Sequence, residues 1–308
     1  WVRVGFAQGN FNADNCLVGG KTMDYGPFGF LEEYSPLFAK WTGSGQHFGF
    51  LNQPSAGLAN IQVLIESVVP VIVAKNSHGE YDNTAKDYEK AVEAFVQTAQ
   101  SGFQNELNRV LRNKLGLPDD ADVGDDLWES LEPLLRKSRA DWTIFWRQLT
   151  YIARDADDDE SLMPDYEQMV RTLEGGEDSA ATGDDDDDDD GIGAFYEALE
   201  PETRREWLVW LEQWSDVLGG MDQSPHDAYE RMKKANPKYV LREWMLVDAY
   251  TTAAPMDADN EEFDTSVLES MYELIQHPYD EGTKEQESLY YRRAPASALM
   301  AGGTAFMS

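Results

Sequence analysis

The sequence predicts a mainly α-helical fold with one small β-hairpin, and three observations carry that expectation. Apolar residues recur at steps of three and four through most of the chain beyond residue 85; Gly and Pro fall at the ends of those stretches; and the first thirty residues break the pattern with two short strand-like runs around Gly19-Gly20.

The helices follow in order. Tyr88, Val92, Phe95, Val96, Ala99, Phe103, Leu107, Val110 and Leu111 mark one face of a long amphipathic helix that Gly116 and Pro118 stop. Further helices are expected near 124–138, 140–154, 225–234 and 264–276. Trp207, Trp210, Leu211, Trp214 and Leu218 form a second stripe between Pro201 and Gly219-Gly220, and tryptophans at this spacing read as core. Asn236-Pro237 reads as an N-cap and first helical residue, launching a helix from Lys238 to about Tyr250. No internal repeat is evident.

Composition bounds the function. The chain has 308 residues, 58 Asp+Glu against 25 Lys+Arg and a formal charge of −33, so nucleic acid and anionic membrane surfaces are unsuited as partners. At 42% hydrophobic with nine Trp it can bury a substantial core and is not a disordered acidic protein. Cys16 is the sole cysteine and His47, His78, His226 and His277 are far apart, which leaves neither a disulfide framework nor zinc spacing. The apolar stretch Ile61 to Ala74 is interrupted by Glu66 and Pro70 and is shorter than the roughly 20 residues of a membrane span. Trp1 stands where Met would be expected and no signal-peptide profile follows, so the chain reads as a piece of a longer protein.

Charge is unevenly spread. Residues 1–80 hold six acids and four bases, so nearly all the excess negative charge lies beyond them. Within it, about Glu174 to Gly193 reads as an acidic inserted loop. Asp186, Asp188, Asp190, Gly191 and Glu197 satisfy a calcium-loop formula, but a run of seven aspartates meets three positions automatically. Gly193 stands where an apolar residue is usual, and the preceding residues are too rich in Gly and Asp for an entering helix. A solvated insert is the expectation.

The chemistry is expected in the first thirty residues. With Gly19-Gly20 as hairpin turn, Asn15 would pair with Asp24 across the mouth. Opposed Cβ atoms stand about 4.5–5.5 Å apart, so two hard oxygen donors would converge as Mg²⁺ requires. Asp14 would project to the other side of the strand entry, available as a base. Asx residues flanking short strands are also ordinary turn chemistry, and spacing leaves both readings open. Cys16 reads as a buried strand residue rather than a reactive thiol.

The run Val4 to Phe30, containing Asp14-Asn15 and Asp24-Tyr-Gly-Pro-Phe-Gly-Phe30, together with Phe50 to Ser55, closely resembles the selenoprotein O family of kinase-fold protein adenylyltransferases. Asn236-Pro-Lys-Tyr-Val-Leu-Arg242 and Pro278-Tyr-Asp-Glu281 resemble that family's later motifs. The resemblance implies the C-terminal lobe of a protein-kinase-like fold over 1–278, with its catalytic loop and metal-binding hairpin at 8–30, and a tail over 279–308. The N-terminal nucleotide-clamping lobe would be absent. It implies Asp14 as proton acceptor, Asn15 and Asp24 as Mg²⁺ ligands (Mn²⁺ the alternative metal), and Asp24 also close to the ATP phosphates. AMP would pass from ATP to Ser, Thr or Tyr hydroxyls of protein substrates, in redox or oxidative-stress regulation.

Two departures accompany it. Gln8-Gly9 stands where many members have His-Gly, and Thr304-Ala-Phe-Met-Ser308 ends without the redox Cys or selenocysteine common there. Either a selenocysteine codon was read as a stop or this protein lacks the residue. The resemblance implies mitochondria for a eukaryotic source and cytoplasm for a bacterial one. A non-catalytic pseudokinase scaffold and a conventional protein kinase are the competing readings; a scaffold has no physical need for Asp14, Asn15 and Asp24 together. Gln53-Pro54 and Arg242 are assigned to packing and loop fixing.

Overall fold

The computed structural model describes residues 1–25, 29–39, 46–74, 85–119, 124–158, 165–176, 192–253 and 264–296. The helices among them are α1 (Gln53–Ala74), α2 (Ala85–Leu115), α3 (Gly124–Lys137), α4 (Trp142–Asp158), α5 (Tyr166–Glu174), α6 (Pro201–Gly219), α7 (Pro225–Ala235), α8 (Glu243–Ala253), α9 (Ser266–Gln276) and α10 (Lys284–Tyr290). The mainly helical expectation holds, and the periodic segments appear as α2, α3, α4, α6, α7 and α9. No helix among the described residues is long and apolar enough to cross a membrane.

The core is built around α4. Every side chain from Asp141 to Thr150 is buried, which a helix achieves only when packed on all sides. Helix α4 packs on α5 and α7, and α6 packs on α3 and α5. The tryptophan stripe of α6 is core, and each indole also satisfies its N–H. Trp207 donates to Ser138 Oγ (2.7 Å), Trp210 to the Leu127 carbonyl (3.2 Å) and Trp214 to that of Leu115 (2.9 Å). A second, smaller cluster forms from Trp244, Met245, Ala249, Met271 and Ala294.

Two expectations need correction. The hairpin does not form: Ala13–Asn15 is a 3-10 turn, the Gly20 amide closes a turn onto the Leu17 carbonyl (2.9 Å), and residues 16–25 contain no paired strand. The strand-like runs have no buried face, with Val18 81% exposed and Leu17 and Met23 nearly half exposed, and an isolated two-stranded ribbon of this length is marginal. Second, Asn236-Pro237 does not launch a helix. Asn236 is the C-cap of α7, and α8 begins only at Glu243.

The reason lies in where the polar groups of that segment go. Asn236 is fully buried and donates to the Lys114 carbonyl (3.1 Å) and Thr150 Oγ1 (3.0 Å). The Lys238 and Tyr239 amides both donate to the Pro278 carbonyl (2.8 and 3.2 Å), and Lys238 Nζ pairs with Glu281 and Glu287. The two later motifs therefore clasp each other. At the end of this strap, Arg242 makes a bidentate pair with Asp141 (2.6 Å for both bonds) and a third bond to Glu32 (2.9 Å). Burial opposes the Arg242 charge, but Asp141 and Glu32 outweigh it and raise its pKa.

The apolar stretch Ile61 to Ala74, assigned no element from the sequence, lies in a helix: α1 runs through Glu66 and Pro70. Helices α5 and α10 also lay outside the expectations; each opens on a side-chain cap, Asp165 and Thr283. The acidic insert leaves from the end of α5 and returns beside it. The Ala194 amide donates to the Leu173 carbonyl (2.7 Å), and Gly193 lies so close to the Glu174 carbonyl that a Cβ would collide with it. The aspartates of the calcium-loop formula and the last twelve residues lie outside the described residues.

Lys114 at the end of α2 is buried, and its amine is held by neutral oxygens. Its Nζ donates to the Arg3 carbonyl and to Asn236 Oδ1, both at 2.8 Å, and faces the rings of Trp142 and Trp146. Burial, followed by repulsion from Arg3, holds its pKa well below 10.5.

Two predictions follow from these buried charges. Arg242→Met leaves the Asp141 carboxylate buried and unpaired and is expected to cost about 3–5 kcal/mol in urea unfolding, with Asp141→Leu/Arg242→Met costing less than the sum of the single changes. For Lys114, the unfolded chain binds a proton that the folded chain does not, between the depressed value and 10.5, so stability rises with pH across that window. Wild type should gain on Lys114→Met by up to about 1.4 kcal/mol per pH unit as pH is raised through that window toward 10.5. A pH-independent difference would show that the amine stays charged.

Candidate functional site

The chain leaves the body after Ala7 and rejoins it from Gly29 onward, at one place. Phe6 forms an isolated bridge with Phe30, the Ala7 amide donates to the Gly29 carbonyl and the Leu31 amide to that of Gly5, both at 2.8 Å. Gly5, with φ of 73°, lies flat against the Trp142 ring, where a Cβ would collide with the indole. The excursion is thus fixed at its base to the first turn of α4.

The first arm of the loop carries Asp14 and Asn15 on the Ala13–Asn15 turn. Asp14 is exposed and Asn15 half-buried. The Asn15 Nδ2 donates to the Asn10 carbonyl (2.8 Å), which leaves its Oδ1 as the acceptor available to a ligand. Helix α1 supports this arm: Asn60 Nδ2 donates to the Phe11 carbonyl (2.8 Å) and contacts Cys16 Sγ (3.2 Å), and Phe11 packs on Gly57. The second arm carries Asp24, whose side chain is exposed, and Tyr25, which rests on Phe6 and Phe30. Trp1 reaches both arms, stacking edge-on against Phe11 and donating from Nε1 to Thr22 Oγ1 (2.9 Å).

Two buried glutamines join the arms. Gln53, at the start of α1, accepts from the Gln8 amide and donates to its carbonyl, both at 3.1 Å. The Gln8 side chain accepts from the Asn10 amide (3.3 Å) and reaches the Asp24 carbonyl from Nε2 (3.5 Å). Sequence reasoning gave Gln53 only a general role, named Gln8 as a departure without a contact, and missed Asn60. The long-range hydrogen bonds that reveal them leave no trace in local spacing. Arg242, likewise assigned to loop fixing, holds Asp141 and Glu32 at the base of the loop.

Burial pushes the Cys16 thiol pKa up, partly offset by Asn60, so this half-buried thiol is not an activated nucleophile; it lies in a loop, not in the strand that was expected. Among the described residues no three His, Cys, Asp or Glu gather to enclose a metal ion. One amide and one carboxylate oxygen with solvent access are nevertheless a donor set that fits Mg²⁺, which retains waters and takes phosphate oxygens for the rest of its shell.

In class, this is a mainly helical protein that presents its carboxylate and amide oxygens on a loop pinned to the core. The chain belongs to the SelO family: the family model described as protein adenylyltransferase SelO matches residues 1–276. It is similar to the protein nucleotidyltransferase YdiU of Flavobacterium johnsoniae, 29% identical over 312 residues, covering 100% of this chain and 50% of that protein. The proteins of that name from Rhodopirellula baltica and Vibrio vulnificus are 28% and 29% identical, each covering 91% of this chain and 46% and 47% of theirs. The chain spans about half the length of the curated relatives it matches.

Asn60→Ala removes the support of the first arm and is expected to cost about 1–3 kcal/mol in urea unfolding, the penalty for orphaned polar groups, with helix content unchanged. Unaltered stability would mean that Asn60 does not hold the turn.

Proposed function

We propose that this chain is the catalytic-loop-bearing part, a kinase-like C-terminal lobe, of a Mg²⁺-dependent protein adenylyltransferase that moves AMP from ATP to Ser, Thr or Tyr hydroxyls of proteins. The observation that carries the reading is the pinned loop: it bears the Asp14-Asn15 turn on one arm and Asp24 on the other, within a chain that belongs to the SelO family. Family membership supports nucleotidyl transfer, and the exposed side chains of Asp14 and Asp24 support access for a nucleotide and a protein hydroxyl.

Asn15 Oδ1 and the Asp24 carboxylate would hold the metal. The chemistry Mg²⁺ supplies when bound is neutralisation of phosphate-oxygen charge. Asp14 accepts the proton of the attacking hydroxyl as its oxygen bonds to the α-phosphorus. The bond from that phosphorus to the bridging oxygen breaks, and pyrophosphate leaves with the electron pair. Rigid attachment of both arms to α1 and α4 keeps base and ligands in register, so little orientational freedom is lost on reaching the transition state.

The test uses the chain extended to the length of its relatives, incubated with Mg²⁺ and ATP labelled at the α-phosphate, in parallel with Asp24→Ala. Label on protein that disappears in Asp24→Ala is expected. γ-Label incorporated instead would establish a kinase, and neither label together with absent nucleotide binding would establish a scaffold.

A further inference from the structure

We infer that Gln8 is a positioning residue that sets the separation of the two arms of the loop and thereby the metal affinity of Asn15 and Asp24; the inference rests on the reading of those two residues as Mg²⁺ ligands. Gln8 is only 6% exposed and Gln53 3%, and the backbone of the former is held on both its N–H and C=O by the amide of the latter. Gln53 Nε2 also donates to the Phe48 carbonyl (2.6 Å), so Gln8 is tied to the start of α1 rather than to the loop it serves.

From that fixed point its side chain extends to both arms. Oε1 accepts from the Asn10 amide, and the Asn10 carbonyl in turn receives Asn15 Nδ2. Nε2 reaches the Asp24 carbonyl at 3.5 Å, the longest bond of the series and the one most easily lost. An unbroken sequence of hydrogen bonds therefore runs from Asp24 through one planar amide to Asn15. An amide suits the task because it donates at one end and accepts at the other without adding charge beside a cation site. Both ends of the bridge terminate on backbone atoms, so neither occupies Asn15 Oδ1 or the Asp24 carboxylate. Groups that orient metal ligands without touching the metal characteristically change its affinity by 10–100-fold when removed.

The test compares Gln8→Leu, Gln8→Asn and Gln8→His in the chain extended to the length of its relatives. In the metal-free protein, Gln8→Leu should speed hydrogen exchange of the Asn10 amide roughly fivefold, the loss of one hydrogen bond. In direct titration with Mn²⁺ and no nucleotide, it should weaken binding roughly 10–100-fold at little-changed melting temperature. Gln8→His, whose neutral imidazole has one donor and one acceptor, should recover most of that affinity. Wild-type Mn²⁺ affinity in a folded Gln8→Leu, or an equal loss in Gln8→His, would overturn the inference. Should Gln8→Leu fail to fold, Gln8→Asn decides, because it keeps the amide but is one methylene too short to span both arms; wild-type affinity there overturns the proposal. Asp24→Ala separates the two levels: unchanged Mn²⁺ binding in that variant sinks the metal-ligand reading itself, whatever Gln8 does.

Discussion

The buried pair of Asp141 and Arg242 is the constraint on which the rest of the molecule depends. Asp141 is wholly inaccessible, and its carboxylate accepts two bonds from the guanidinium and one from the Ile144 amide in the first turn of α4. Its own amide donates to the Ala194 carbonyl (2.7 Å), and the neighbouring Trp142 amide donates to the Glu32 carbonyl (3.0 Å). Four separate stretches of chain thus meet at one residue: the return of the loop, the start of α4, the segment after the acidic insert and the end of the 236–242 strap. A buried ion pair gives little net stability relative to apolar packing, but it penalises any arrangement that leaves one partner alone. Here that penalty fixes the relative placement of distant segments more than it raises stability.

The loop inherits its geometry from that junction. Glu33 forms a bridge with Asp141 and pairs with Arg139, and the Tyr34 amide donates to the Ala140 carbonyl, so residues 29–34 cannot shift without disturbing the start of α4. On the outgoing side, Gly5 lies against Trp142, in the same helical turn. The buried helix α4 therefore holds the base of the loop, while α1 holds its first arm through Asn60 and Gln53. Precision at a solvent-facing site comes from elements that are not themselves near solvent, the usual solution when a loop must hold ligands in register.

The helical body was legible because its signal is local. A 3.6-residue period records which face is buried, and the Trp207, Trp210 and Trp214 stripe lies where that period puts it. Helix α1 was obscured by Pro70 and by a sequence apolar on nearly all sides, which carries little periodic information. Asn236-Pro237 has the local chemistry of a helix start, and tertiary bonds to Lys114, Thr150 and Pro278 override it. The arrangement of the candidate site residues was not legible. Gly19-Gly20 correctly marked a turn, yet the flanking runs have no apolar face to bury, so the pairing that would have opposed Asn15 and Asp24 has no driving force. What joins the two arms is side chains, those of Gln8 and Trp1, and no spacing rule reads a side-chain bridge.

The distribution of charge adds a constraint on chemistry. Lys114, Arg147, Lys238 and Arg242 are all at most 3% exposed, so basic residues from an already small complement of 25 are withdrawn into the core. Solvent meets a surface whose field is negative, and Asp14 and Asp24 extend that field to the rim of the loop. A nucleotide triphosphate is repelled by such a surface unless its charge is neutralised where it docks. Under the proposed reading, two demands would follow together: a divalent cation, which Asn15 and Asp24 would hold, and positive charge beyond the few exposed cations of this chain. Under that same reading, the field would favour a hydroxyl-bearing segment with basic neighbours over an acidic one.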